Sequence, residues 1–397
     1  MLKQRAKILL PLFVLVGLCL GGCGSSNNTN STPTPVNPTV TIPSGYQGGK
    51  QYFPVGAFHV QGNLLVDSTG HTFLLHGSQI AGAFNVQHQS SVEVQASQHL
   101  DSTTFNVMSQ QWNMNVVRIP TCDYMWQADP TGYLSRLDSV VQQANAAKLV
   151  VVLDLHEDNR CGAPTQNLDF KLPLPLATSY WKALAAHYLN NPDIIFDVYN
   201  EPSTRKHQAS LTDVDWQLWQ NGGTVEGTQV VGMQDLVNAI RSTGAKQVVA
   251  VEGLGGGDSF ENIGNHFIND PDVVYEVHIY FAKGEVTSSD WDTKFGFLTP
   301  QHAVYVGEWA FLPNAYYPIQ CRSVPHDQAD AKVTEFMNYM DEHSISWTAW
   351  AFMINKLILN YTNYAPTTLD QPWTCGDQKS NAGMGTLVKQ HLLAYGR

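Results

Sequence analysis

Charge is scarce in this chain, and positive charge most of all. Only 14% of the 397 residues are charged, and 22 Lys and Arg stand against 34 Asp and Glu, with no long run of either sign. The resulting net charge of −12 argues against a nucleic-acid surface and, more weakly, against polyanionic ligands. Phosphate-binding signatures are missing too. The glycine-rich stretch "GLGGGDS" (Gly253 to Ser259) has no G-x-G-x-x-G frame, and no G-x-x-x-x-G-K-[ST] occurs, so the nucleotide marks of an open doubly wound sheet are absent. Cysteine is sparse and never spaced C-x-x-C, which speaks against zinc. No internal repeat is evident. Apolar and aromatic residues, by contrast, are plentiful: 43% of the chain is hydrophobic, with 10 Trp, 16 Tyr and 16 Phe, enough to build one large α/β core.

The first fifty residues stand apart. Lys3, Arg5 and Lys7 precede an apolar stretch from Ile8 to Leu20, shorter than the roughly 20 residues a membrane span needs and suited to an export signal. It ends in Leu20-Gly21-Gly22-Cys23, which resembles a bacterial lipoprotein signal. The resemblance implies cleavage after residue 22 and lipid on the Cys23 thiol, with plain secretion as the alternative. Residues 23–50 are rich in Ser, Asn, Thr, Pro and Gly, a composition that cannot bury enough apolar surface to fold. They read as a tether spanning roughly 25–30 Å. The protein is therefore expected outside the cytoplasm, held at a membrane through its lipid. In that setting the remaining Cys122, Cys161, Cys321 and Cys375 are expected to form disulfides, buried free thiols being the alternative.

From residue 51 onward, apolar strand-like runs alternate with longer amphipathic stretches. Strands are predicted at His71 to Gly77, Asn115 to Pro120, Leu149 to His156, Ile194 to Asn200, Gln247 to Gly253, Val273 to Tyr280, Ala303 to Ala310 and Ile345 to Phe352. Helices are predicted in "LSRLDSVVQQANAAK", "SYWKALAAHYLNN", "GMQDLVNAIRSTGA" and "DQADAKVTEFMNYMDEH". Near-continuous Val/Ile/Leu strands, each followed by a helix, indicate a parallel sheet buried on both faces. Eight of them favour a (β/α)8 TIM barrel over an open sheet. Residues 51–397 are thus expected to form one domain.

The polar residues fall where such a barrel keeps its functional groups, at the C-terminal strand ends. The second strand carries Arg118, the third ends Asp154-Leu155-His156, and the fourth ends Asn200-Glu201. The sixth gives His278 and Tyr280, the seventh Glu308, and the eighth Trp347 and Trp350. Each alone has an ordinary structural explanation; their shared position gives them weight. A carboxylate at the end of an apolar strand is costly to bury unpaired. Two of them at one barrel mouth, Glu201 and Glu308, suit the cleavage of a glycosidic bond, one as proton donor and the other as nucleophile.

The motifs "NVVRIP", "LDLHEDN", "VYNEP", "VYEVHIY", "VGEWA" and "WTAWAF", with the opening "VQGNLLVDSTGHTFLLHGSQ", together resemble glycoside hydrolase family 5 from about Gly56 onward. The resemblance implies a short N-terminal hairpin, a TIM barrel, and retaining hydrolysis through a covalent glycosyl-enzyme. It implies Glu201 as general acid/base and Glu308 as nucleophile, with Arg118 and Tyr280 holding Glu308 ionised and oriented. His278 would contact Glu201, His156 and Asn200 would bind sugar hydroxyls, and Trp350 would lie under the sugar. It implies no metal and no organic cofactor. One departure is Gln79, where the family often has Asn. Another is "LTDVDWQLWQNGG", whose Trp216 and Trp219 suit either a helix face packed on the barrel or a sugar-stacking wall. The same ambiguity attaches to Trp126, Trp181, Trp291, Trp309 and Trp373, with Trp181 expected in the core.

In such a barrel Cys122 and Cys161 follow neighbouring strands, as do Cys321 and Cys375, so the bridges Cys122–Cys161 and Cys321–Cys375 are expected. The leading expectation is a monomeric, surface-tethered endo-acting β-glycosidase on a β-linked polysaccharide such as β-1,4-glucan or mannan. Alternatives are an exo-glycosidase or transglycosylase with the same residues, a barrel that binds glycans without cutting them, and a metal hydrolase built on Asp154, His156, Glu157 and His278. The last lacks tight ligand spacing.

Overall fold

The structure is a computed structural model describing residues 51–82, 84, 91–156, 168–205, 210–281, 286–311, 329–368 and 383–394. The expectations placed on residues 1–50, on Glu157, on Trp373 and on Cys23, Cys161, Cys321 and Cys375 lie outside these residues. Among the described residues no helix is long and apolar enough to cross a membrane.

Eight parallel strands close into a barrel. They are β4 (His76–Gln79), β5 (Val116–Thr121), β6 (Val150–Leu155), β7 (Ile194–Asp197), β10 (Val249–Glu252), β11 (Val273–Tyr280), β12 (Val304–Ala310) and β13 (Ser346–Ala349), with β7 against β10 and β13 against β4 completing the ring. Every residue of β5, β6 and β12 is buried, as expected where helices cover the outer face and side chains fill the interior. The helices Pro130–Ala146, Pro175–His187, Met233–Arg241 and Ala329–Glu342 match the amphipathic stretches of the sequence.

The first predicted strand is corrected. The run His71 to Gly77 serves two sheets: Thr72–Phe73 (β3) pairs antiparallel with β2 (Leu64–Asp67), which pairs with β1 (Phe58–Gln61), while β4 begins only at His76. This three-stranded ribbon lies against the N-terminal end of the barrel. Phe58, Leu65, Phe73 and Leu75 pack there with Val116, Val150, Val152, Ile195, Val274 and Tyr305. Asp67 locks the ribbon's turn, accepting hydrogen bonds from the Tyr52 hydroxyl, from Val55, Thr69 and His71 N–H groups, and from the Thr69 hydroxyl.

An insertion separates β7 from β10: the helix Asp213–Asn221, then a small hairpin of β8 (Gly222–Val225) and β9 (Thr228–Val231). Its N-terminus is a reciprocal capping box between Thr212 and Asp215. Trp216 and Trp219 are fully buried, and Trp216 stacks on Phe260. The choice left open by the sequence is settled for packing on the barrel. Trp181, Trp291 and Trp309 are fully buried as well.

Candidate active site

One cation organises the barrel mouth. Arg118 on β5 is fully buried, and its guanidinium reaches Asp154 on β6 (3.1 Å), Asp197 on β7 (2.8 Å), Glu276 on β11 (3.4 Å) and Glu308 on β12 (2.8 Å). It also donates to the side-chain oxygens of Gln79 and Asn200. Gln79, the family departure, therefore orients the central arginine. Burial opposes the Arg118 charge, yet the four acids raise its pKa well above the usual arginine value.

Four carboxylates cannot all ionise around one arginine in a dry interior. Burial pushes Asp197 up to about 7 despite Arg118. Burial, then Asp197, drives Glu276 well above the carboxylate range. Burial also opposes the Asp154 charge, but Arg118 and His156 bring its pKa below the usual value. Asp154 in turn accepts from His156, whose Nδ1 lies 2.6 Å away. Against the cost of its own burial, this carboxylate raises the His156 pKa.

Glu308 sits at the rim of this network with a side chain 4% exposed. Arg118 Nη1 donates to its Oε1 at 2.8 Å, and the Tyr280 hydroxyl donates to its Oε2 at 2.5 Å. Burial and the charges of Glu308 and Glu201 hold the Tyr280 pKa well above that of free tyrosine, so the phenol keeps its proton. The aim of Glu308 comes from a register shift: Val277 pairs with Val306 but His278 pairs with Glu308, leaving Gly307 as the extra residue. Bulges of this kind re-aim side chains at barrel rims. A Cβ at Gly307 would sit 1.6 Å from the Glu276 carboxylate, so any larger residue there displaces that buried acid.

Glu201 follows β7 with φ of 50° and a side chain 36% exposed. His278, fully buried, places Nδ1 3.3 Å from Glu201 Oε1 and 3.5 Å from Glu308 Oε2. Burial lowers the His278 pKa, so the ring is neutral near pH 7. One atom each of Glu201, His278 and Glu308 lie within 4.8 Å of one another. Asn200 is buried with its amide oxygen on Arg118, and Trp350 at the end of the eighth strand is half-buried at the edge of the core. Direct contacts join Arg118, Asn200, Glu201, His278, Tyr280 and Glu308, and His156 joins them through Asp154, whereas Trp347 is buried against His76 and Trp309 instead.

Three acids were not anticipated: Asp197, Glu252 and Glu276. Their signal was in the strands themselves. Glu276 and His278 stand two apart and so face the same side, and Asp197 interrupts "IIFDVYN", where only a paired acid would be tolerated. Of the metal-hydrolase alternative, Asp154 is bound by Arg118 and His156, while His278 lies against Glu201 and Glu308.

A buried arginine gripping Glu308, with an oxygen of Glu201 within 4.8 Å of one of Glu308, on a closed (β/α)8 barrel, is the constellation of a glycosidase-type site. Comparison with known proteins makes this specific: residues 66–356 match the cellulase family, glycosyl hydrolase family 5, and the chain belongs to that family. It is 23% identical over 263 residues to endoglucanase MaCel5A of Microbulbifer sp., covering 64% of this chain and 44% of that protein. It is 25% identical over 234 residues to a mannan endo-1,4-beta-mannosidase of Cellvibrio japonicus, covering 56% and 45%. The matched stretch thus spans less than half the length of these two relatives. Among solved structures, the beta-glucanase SdGluc5_26A of Saccharophagus degradans superposes with a TM-score of 0.63 at 19% identity, over 90% of this chain and 98% of that one.

Proposed function

We propose that the protein is a retaining, endo-acting β-glycosidase acting on a β-1,4-linked glucan or mannan. The observation that carries this is the closeness of the two carboxyls, an oxygen of Glu201 and one of Glu308 lying within 4.8 Å. Retaining enzymes keep their carboxyls about 5–5.5 Å apart, whereas inverting ones leave about 6.5–9.5 Å for a water. Relatives that are endoglucanases and mannan endo-1,4-beta-mannosidases support both the endo mode and the choice of sugar.

The reaction runs in two displacements. Glu308, gripped at both oxygens by Arg118 and Tyr280, attacks the anomeric carbon. The more exposed Glu201 gives its proton to the departing glycosidic oxygen. A glycosyl ester on Glu308 results, and Glu201, now a carboxylate, takes a proton from water as the water oxygen attacks the same carbon. The ester bond breaks, Glu308 returns to a carboxylate and Glu201 is again protonated. Asn200 and His156 bind sugar hydroxyls at the mouth, and Trp350 offers an aromatic face to the ring.

The same reading includes residues 1–22 as export signal, Cys23 as lipid-bearing residue and 23–50 as tether. The bridges Cys122–Cys161 and Cys321–Cys375 belong to the same reading, as expected of an exported protein.

The test is hydrolysis of β-glucans, mannans and xylans by wild type and Glu308→Ala, with azide added to the variant. Cleavage by wild type, lost in the variant and partly restored by azide as a glycosyl azide, is expected. An active Glu308→Ala, or a wild type that binds glycans without cutting any, refutes the reading.

A further inference from the structure

We propose that Glu252, at the end of β10, is the positioning residue for Glu201: it holds the Glu201 main chain directly and its carboxyl through His278. This rests on Glu201 being the general acid/base.

Glu201 adopts a left-handed backbone, φ 50°, which a glutamate takes up only where its surroundings enforce it. The enforcing contact is a hydrogen bond to a buried carboxyl. Glu201 N–H donates to Glu252 Oε2 at 2.5 Å. The other oxygen, Glu252 Oε1, lies 3.1 Å from His278 Nδ1, the same atom that stands 3.3 Å from Glu201 Oε1. One carboxyl therefore holds the Glu201 main chain directly and approaches its carboxyl through His278, while itself being fully buried.

Glu252 is held in turn from two sides. Trp219 Nε1, from the inserted helix, donates to the Glu252 main-chain oxygen at 2.9 Å. The glycine-rich loop that follows β10 wraps over its side chain. Gly257, with φ of 76°, lies so close that a Cβ there would sit 1.7 Å from Glu252 Oε1. Gly257 O accepts from His278 N at 2.7 Å, and Gly256 N donates to Pro202 O at 3.0 Å. "GLGGGDS", which lacks the nucleotide-binding frame, thus ties together Glu252, His278 and the turn after Glu201. The groups facing Glu252 are Asp197 on β7, Glu201, and Glu276 and His278 on β11. Burial first, then Asp197 and Glu201, drive its pKa well above the carboxylate range, with Arg118 opposing. It acts as a neutral acid, which an amide can imitate.

The test compares kcat/KM on two substrates across pH. One is the soluble polysaccharide that the wild type cleaves. The other is the 2,4-dinitrophenyl glycoside of the matching disaccharide, whose leaving group departs without protonation. Glu252→Ala is expected to lose about 10²-fold on the polysaccharide, to stay near wild type on the aryl glycoside, and to shift the alkaline limb of the pH profile. Glu252→Gln, which keeps an acceptor for Glu201 N–H, restores most of the loss. Should Glu252→Ala not fold, Gly257→Ala, which displaces the carboxyl while leaving it present, has to show the same split. Equal losses on both substrates, or none on the polysaccharide, overturn the proposal. Glu201→Ala serves as the reference: if it lacks the split, the acid/base assignment falls, whereas a split in Glu201→Ala without one in Glu252→Ala sinks only the role of Glu252.

Discussion

The two ends of the barrel are built from opposite materials. At the N-terminal end the ribbon β1–β3 presses Phe58, Leu65 and Phe73 onto Val116, Val150 and Ile195, a mainly apolar cluster with Asp67 as its buried acid. At the C-terminal end Asp154, Asp197, Glu252, Glu276, Glu308, His278 and Arg118 are buried together. The same strands run through both, so β5 begins with Val116 and passes Arg118 two residues later. Apolar burial holds one end at roughly 25 cal/mol per Å² of covered surface. The other end sacrifices that gain and relies on Arg118 to keep its acids tolerable. One end serves folding, the other chemistry.

Substitutions that act on one end alone break this contrast most sharply. The largest effect is expected from Glu308→Ala, which removes the attacking carboxylate and should cut kcat on the order of 10⁴-fold or more while the urea midpoint moves little. Arg118→Met is expected to lose activity as well, since Arg118 grips Glu308, and to add a loss of stability. It leaves Asp154, Asp197, Glu276 and Glu308 buried without their shared cation, at a cost of about 3–5 kcal/mol. Urea titration should show a greater loss at pH 7.5 than at pH 5, because protonation of the stranded acids at low pH relieves their repulsion.

At the apolar end, Leu75→Ala should cost about 3 kcal/mol through the cavity it leaves, with kcat/KM of the folded fraction unchanged. A smaller effect is expected at Asp67. Burial opposes its charge, but hydrogen bonds from Thr69, Tyr52 and Val55 hold its carboxyl well below the ordinary range. That contribution is complete above the unfolded carboxylate pKa of about 4 and is lost as pH falls through the depressed folded value. Asp67→Asn should therefore lower stability by about 2 kcal/mol at pH 7 and flatten the loss of stability below pH 4.

Much of this was legible in advance for reasons that differ between residues. β6 and β12 are mainly apolar runs that carry a single acid near their C-terminal ends, Asp154 and Glu308, and both the strand and the functional group follow from that pattern. Trp216 and Trp219 were not decidable, since a helix face toward a barrel and one toward a cleft carry the same spacing. His71 to Gly77 misled because one apolar run was divided between a ribbon and a barrel strand. Glu252 stayed hidden because its partner, the Glu201 N–H, lies 51 positions away.

The sequence by itself determined the barrel, through eight apolar strands alternating with amphipathic helices, and the polar residues at their ends. Local period and composition suffice for both. Tertiary structure alone decided which acids share Arg118, which of them are neutral, and how Glu201 is held. Those outcomes depend on distances across the barrel and on desolvation, and neither is a property of neighbouring residues in the chain.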